Sequence, residues 1–424
     1  MDRLAPPTVR QPVADEFSWR RIAIPAYGPS LVASIGQGAV NPILAIAARE
    51  LGASVPLAAL IVALPLAVEM LVAVPVGTLI DRIGERTALT LAGLLELVVG
   101  VIGWLADSLV ALAVAAILIA PAVAVFVVGR QSFLAQVAPV GQRARAMSTL
   151  GGVARIGWFL GPLLSVPLID AAGARGAFVV LAVAGLASAV LTWFTMDLPV
   201  PGLGRGATPE LPRPPLKELM RRHAAVLLTV GVGVVMIGVS RSGRLTVLPL
   251  WADSVGLGAS DIAKLFSASF FLEVLLFYPA GWVMDRFGRA WIAVPLTMTL
   301  GACLVALPLA RTLGPVAALA LVMGAANGLG SGIVMTLGAD AAPVEGRAAF
   351  LGIWRWLGLI GQNGVAVAVA IIAAAASLSL ASVVVGIASV VGAGWLLVWL
   401  PRHDPTRRER ERPPAAYPPD AGEP

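Results

Sequence analysis

The sequence predicts an all-α membrane protein with twelve transmembrane helices in two six-helix bundles, and three observations carry that prediction. The 424-residue chain is 58% hydrophobic and only 13% charged, whereas soluble domains carry about 25% charged residues; its mean hydropathy is +0.89. Apolar stretches long enough to cross a ~30 Å hydrocarbon core recur along its length. Finally, the stretch from Glu69 to Gly84 returns 204 residues later as Glu273 to Gly288. Glutamate, proline, glycine, aspartate, arginine and glycine stand in register at 69, 75, 77, 81, 82 and 84 and at 273, 279, 281, 285, 286 and 288. A repeat interrupted at matching places describes two similar halves.

Taken in order, the apolar spans fall at roughly 22–48, 55–80, 87–106, 109–131, 147–169 and 176–196 in the first half. The second half supplies roughly 223–251, 260–284, 290–310, 313–337, 348–372 and 377–400. This divides the chain into a tail (1–21), a first bundle (22–196), a linker (197–222), a second bundle (223–400) and a tail (401–424). The linker announces itself by Pro-Val-Pro-Gly-Leu-Gly and Leu-Pro-Arg-Pro-Pro, residues that interrupt helices. The last tail is rich in Arg, Glu and Pro, a composition that favours disorder. Residues 1–21 have no apolar core and do not read as a cleavable signal.

Basic residues set the expected orientation. Arg20, Arg21, Arg82, Arg86, Arg143, Arg145, Arg221, Arg222, Arg286, Arg289, Arg347 and Arg402 border the spans on one side, against Arg49, Arg175, Lys264 and Arg311 on the other. The side rich in arginine is expected to be cytoplasmic, which puts both termini in the cytoplasm and the chain in the plasma (inner) membrane. Because these residues border spans instead of clustering, the net charge of +6 does not predict nucleic-acid binding. Expected partners are the lipid bilayer, a small-molecule substrate and a proton, with the chain a monomer. Cys303 is the sole cysteine and His223 and His403 the sole histidines, too few for a disulfide, a metal site or a Ser/His/Asp arrangement. An enzyme, a metal and a cofactor are therefore not expected.

The turns after the second and eighth spans read Gly77-x-x-x-Asp81-Arg82-x-Gly84-x-Arg86 and Gly281-x-x-x-Asp285-Arg286-x-Gly288-Arg289. A second signature follows the fourth and tenth spans, where Pro139-Val140 and Arg143 return as Pro343-Val344 and Arg347. On these motifs, from about residue 20 to 400, the chain resembles the major facilitator superfamily. The resemblance implies two bundles rocking around a central site, with each motif aspartate latching onto a helix start in the opposite half. Asp81 would then meet Arg347 and Ala348, and Asp285 would meet Arg145 and Ala146, while Arg130 would extend the network. Gly84 and Gly288 suit a turn of positive φ. Gly157-x-x-x-Gly161-Pro162 on the fifth span resembles the signature of drug:proton antiporter-like exporters, although Ser148 and Ser165 replace two of its glycines. A further arginine that such exporters carry deeper in the fourth helix is absent from 109–129, which holds no charge.

Glu69 and Glu273 lie twelve residues before their aspartates, hence ~18 Å deeper, near the bilayer centre. An acidic residue there costs about 2.5–3.5 kcal/mol on insertion scales, so it marks a pathway, a proton relay or an ion pair. Both are candidate proton-coupling sites; the alternative is a permanent pair or a neutral buried acid. Glu96 reads as a structural hydrogen-bonding acid on the third, peripheral helix. Arg241 and Arg244 share a face of the seventh span. Either Arg241 pairs with Glu273 and leaves Arg244 to a cavity that would favour an anionic or polar substrate, or Glu273 stays free to titrate. Arg155 and Arg355 stand near helix ends, where arginines snorkel toward headgroups. Cavity candidates are Gln37, Asn41, Arg241, Arg244, Asn327, Ser331, Gln362 and Asn363, with Met335 beside them. Gly324, Gly328 and Gly332 read as a stripe for close helix packing inside the tenth helix. The reading that follows is a secondary active transporter, exporting small amphipathic molecules in exchange for protons. Its alternatives are a nutrient or metabolite uptake symporter on the same fold, and a non-transporting sensor or scaffold.

Overall fold

The computed structural model describes residues 19–137, 143–195, 216–343 and 347–403, all helical or in short connections. The first half comprises α1 (Trp19–Val40), α2 (Leu44–Glu50), α3 (Val55–Ile83), α4 (Glu85–Leu105), α5 (Leu109–Val137), α6 (Arg143–Ala172) and α7 (Gly176–Thr195). The second comprises α8 (Leu216–Arg222), α9 (Ala224–Val226), α10 (Val232–Ser254), α11 (Ala259–Phe287), α12 (Ala290–Ala306), α13 (Leu313–Leu329), α14 (Ile333–Ala341), α15 (Arg347–Ala375) and α16 (Leu378–His403). Eleven helical segments among the described residues are long and apolar enough to cross a membrane. The 29-residue α11 completes the set of twelve, because α1 with α2, α9 with α10, and α13 with α14 each act as one crossing. A π-helical turn over Leu227–Gly231 joins α9 to α10. The short helix α8 lies inside the stretch expected as linker.

Within each half the helices approach closely because small residues face each other. A Cβ added at Gly161 would stand 2.2 Å from the Ile35 carbonyl oxygen, and one at Gly157 2.5 Å from the Ser34 Cβ. The glycines of the fifth-span motif thus press α6 onto α1. Ser165, where that motif resembles a glycine position, is buried and donates to the Pro162 carbonyl at 2.7 Å. On the other side of the half, a Cβ at Gly100 would meet the Ala182 backbone nitrogen at 2.5 Å, seating α4 on α7.

Between halves, α6 packs on α11 and α3 on α15. Ser267 donates to the Phe159 carbonyl at 3.0 Å, and Trp158 and Phe159 sit against Phe270 and Phe271 with centroids 5.9 and 5.3 Å apart.

Two crossings are broken. The first turns at Asn41–Ile43, between α1 and α2. The tenth breaks at Gly332, whose φ of 77° only glycine adopts easily; the expected stripe holds at Gly324 and Gly328 and ends there, since a Cβ at Gly332 would meet open space. Gly84 and Gly288 close α3 and α11 with φ of 81° and 99° and ψ of 153° and 166°. That region is essentially restricted to glycine, so both turns require it for backbone conformation alone.

Gly161→Val places side-chain atoms on the α1 backbone, where overpacking costs about 1–3 kcal/mol. The expected outcome is a lowered melting temperature of the detergent-purified protein, with Gly364→Val, which meets open space, as the neutral comparison.

Candidate functional site

The site is built from long helices that continue past the apolar spans. Because α3 runs to Ile83 and α11 to Phe287, Glu69 and Glu273 sit mid-helix. Because α6 starts at Arg143, Arg155 lies twelve residues in, ~18 Å from its start and at a depth like theirs. Neither Arg155 nor Arg355 occupies a helix end.

Glu273 is 1% exposed and Arg244 2%. Arg244 Nη1 donates to Glu273 Oε1 at 2.6 Å, and its Nη2 donates to Ser269 Oγ at 2.8 Å. Asn327 Nδ2 donates to the second carboxylate oxygen at 2.8 Å. Asn327 can reach because a Cβ at Gly328 would stand 2.7 Å from the Glu273 Cα, which lets α13 lie directly on α11. The partner of Glu273 is therefore Arg244 and not Arg241. Successive residues three apart differ by about 60° around a helix, and that rotation turns Arg244 into the bundle. Arg244 and Asn327 belong to this network, and neither they nor the buried Ser331 are among the residues lining the cavity.

Arg241 instead faces the cavity and donates through Nη2 to the Gly330 carbonyl at 2.6 Å. The break after α13 exposes that carbonyl, whose other donor is the Ile333 amide at 3.3 Å. An interrupted membrane helix thus meets a cation with a freed carbonyl.

Glu69 bonds across the molecule. Arg355 Nη2 donates to Glu69 Oε1 at 2.5 Å, joining α3 of the first half to α15 of the second. Beside it, Asn363 donates to the Leu359 carbonyl at 3.1 Å and to Met70 Sδ at 3.2 Å. At the end of the molecule opposite the Gly84 and Gly288 turns, Arg49 Nε meets Asp253 Oδ2 at 3.1 Å. These two positions are 204 residues apart, the period of the repeat, so the pair closes that end near the axis relating the halves.

Between the halves lies a cavity of about 310 Å³. Gln37, Asn41, Glu69, Arg241, Ser242, Thr246 and Gln362 supply its polar groups, and aliphatic and aromatic side chains such as Leu66, Ile119, Trp158 and Phe178 the rest. Gln37 and Arg241 are themselves 204 positions apart, one from each half. Gln37 Nε2 donates to Oε1 of the fully buried Glu96 at 2.7 Å. Glu96 therefore faces into its bundle, directly behind the cavity wall. Met335 is 67% exposed and points elsewhere.

Around the repeated turns the described contacts stay inside each half. Arg130 is fully buried, because α5 runs seven residues beyond it; it donates to the Pro25 carbonyl at 2.9 Å and stands 4.0 Å from Glu85 Oε1. Arg86 donates to the Trp193 carbonyl and covers that ring at 4.5 Å. Arg289 pairs with Asp340 at 2.9 Å, and Arg286 stacks on Trp282; Arg82 is exposed. The side chains of Asp81, Asp285, Arg145, Ala146, Arg347 and Ala348, and the packing at Gly77 and Gly281, lie outside the described residues, as do Pro139-Val140, Val344, Ser148 and both tails.

Breaking a buried ion pair by removing one member costs about 3–5 kcal/mol, whereas replacing both with apolar residues is often neutral. Glu273→Ala and Arg244→Ala are each expected to lower the melting temperature sharply, and Arg244→Met with Glu273→Leu to restore most of it. A double-mutant cycle on thermal unfolding in detergent checks this.

Comparison with known proteins agrees with this architecture. The family model described as Major Facilitator Superfamily matches residues 30–263 and 230–419. Among solved structures, a POT family transporter in complex with a thioalcohol-conjugated peptide superposes with a TM-score of 0.73 at 13% identity, over 91% of this chain and 96% of that one. A bacterial homologue of the human lysosomal transporter Spinster, inward-facing and unoccupied, gives 0.70 at 16% identity over 93% and 99%. A D-xylose–proton symporter gives 0.64 at 16% identity over 91% and 99%. At these identities the likeness is one of fold.

Proposed function

The chain belongs to the Major Facilitator Superfamily and is a secondary transporter, and from that premise we propose that it exports small amphipathic organic molecules in exchange for protons. The observation that carries the coupling step is the Glu69–Arg355 bond, which joins the two halves on the wall of the central cavity. A proton on Glu69 removes its charge, and the bond weakens from a charge-assisted pair to a neutral contact. The state in which the halves are held together there becomes less favourable, and the population moves toward the alternative arrangement. Glu69 is in the cavity wall, so proton and substrate reach the same space. Glu273, with both carboxylate oxygens bonded inside its own bundle, serves as a fixed strut in this reading.

Export is supported by the α6 glycines seated against α1, the feature on which the chain resembles drug-exporting members. The orientation that fits places the Gly84 and Gly288 turns and both termini in the cytoplasm of a cell bounded by the plasma (inner) membrane. Asp81 and Asp285 would then latch the cytoplasmic side in the opposite state. The same carboxylate–arginine bond would serve a symporter, and the similarity to a D-xylose–proton symporter supports uptake as the second reading.

Everted and right-side-out vesicles carrying an imposed pH gradient distinguish the two directions. Export predicts proton-driven accumulation in everted vesicles only. Glu69→Gln is expected to abolish accumulation by the gradient while leaving substrate-for-substrate exchange within a few-fold of normal. Gradient-driven accumulation at the wild-type level in Glu69→Gln would remove Glu69 from the coupling step.

A further inference from the structure

The charges beside the cavity do not balance. Arg155 on α6 and Arg241 on α10 lie close enough for their charges to act on each other and on Glu273, and Arg244 belongs to the same cluster. Arg155, Arg241 and Arg244 thus share Glu273, while Glu69 on the cavity wall is matched by Arg355, which leaves a surplus of two positive charges in this cluster among the described residues. Both oxygens of Glu273 are already taken, by Arg244 and by Asn327. Among the described residues Arg241 has only the Gly330 carbonyl as a hydrogen-bond acceptor, and Arg155 only the carbonyl of Gly151 on its own helix at 3.3 Å. The Nε atom of each is buried and has no acceptor among the described residues. Both residues are partly buried and lack a carboxylate of their own among the described residues, so their like charges repel and favour an anion at Arg241, which lines the cavity.

They also come from opposite halves. Position 37, the counterpart of Arg241 in the first half, is a glutamine already bonded to Glu96. The acid on the cavity wall, Glu69, is paired with Arg355, so among the described lining residues Arg241 is the charged group without a partner of opposite charge. Beyond Arg241 the cavity wall is apolar: Val62, Pro65, Leu66, Ile119 and Val123 stand among its lining residues.

Building on the reading of this cavity as the transport site, we infer that its substrates are amphipathic organic anions. The carboxylate or comparable head sits on Arg241, where the positive charge of Arg155 also acts, and the apolar body lies along the α3 and α5 wall. Guanidinium suits this task because it offers planar, paired donors to a two-oxygen head. An anion on Arg241 would also offset its repulsion from Arg155.

A matched set of probes tests this: 4-phenylbutyrate, 4-phenylbutylamine and 4-phenylbutanol, which share one body and differ in head charge. Thermal unfolding of the full-length protein in a neutral detergent should shift upward by several degrees with the carboxylate alone. The midpoint concentration of that shift should rise about 10- to 100-fold in Arg241→Gln, as expected for losing a hydrogen bond to a charged group, and by less in Arg155→Gln, which removes only a nearby charge. Arg175→Gln, at the opposite end of α6, should not change it. Without probe, Arg241→Gln should melt no lower than the unmodified protein, since it relieves repulsion; a large fall would make Arg241 a structural residue and overturn the proposal. Equal shifts by all three probes, no carboxylate-specific shift, or equal stabilisation by chloride or phosphate alone would also overturn it. Unaltered transport of a cationic compound by Arg241→Gln would refute the anion site while leaving the transporter reading in place.

Discussion

A charge inside a bilayer must be neutralised where it sits, and the arrangement of this molecule follows from how it meets that requirement. Glu273 is neutralised within its own bundle by Arg244, assisted by Ser269 and Asn327. Glu69, its counterpart in the repeat, is neutralised by Arg355 from the other bundle. One acid therefore stabilises a half, and the other ties the halves together. Repeating a sequence has produced two equivalent positions with different partners, and a directional device needs such an asymmetry.

The same economy explains the backbone. The tenth crossing breaks at Gly332, and the carbonyl so released at Gly330 receives Arg241. Irregular backbone at membrane depth is tolerated where it lines a cavity or meets a polar partner. Here it also fixes a cation on the cavity wall. At the far end Arg49 and Asp253 meet across the repeat axis. Both are about one-third exposed or less, a setting in which an ion pair holds weakly and reversibly, as a gate must.

Much of this is legible in the sequence. The register of Glu69 with Glu273, and of the Asp-Arg-x-Gly turns, marks the two halves, the family and the two acids at depth. Partners are harder to read, for a geometric reason. Apolar spans mark hydrocarbon and not helix: α5 and α6 continue past theirs to Val137 and back to Arg143. Arg130 and Arg155 consequently look terminal in sequence and stand well inside helices in space, and Arg355 stands eight residues into α15. The choice between Arg241 and Arg244 turns on a rotation of about 60° around one helix, which a depth estimate cannot resolve. A structural hydrogen bond at Glu96 is foreseeable, but its partner Gln37 is 59 residues away, and no local pattern links the two.

In the proposed cycle the Glu69–Arg355 bond would hold the halves in the state closed at the Arg49–Asp253 end. The most direct measurement is electron–electron double resonance between spin labels at Asp107 and Arg311. These exposed positions lie at that end of the molecule, one in each half and one repeat apart, and would be labelled in a Cys303→Ala background. Glu69→Gln, or lowered pH with Glu69 intact, is expected to move the distance distribution from a single short population toward a longer one. A distribution that is the same at every pH, with Glu69 intact and in the Glu69→Gln variant, would contradict it.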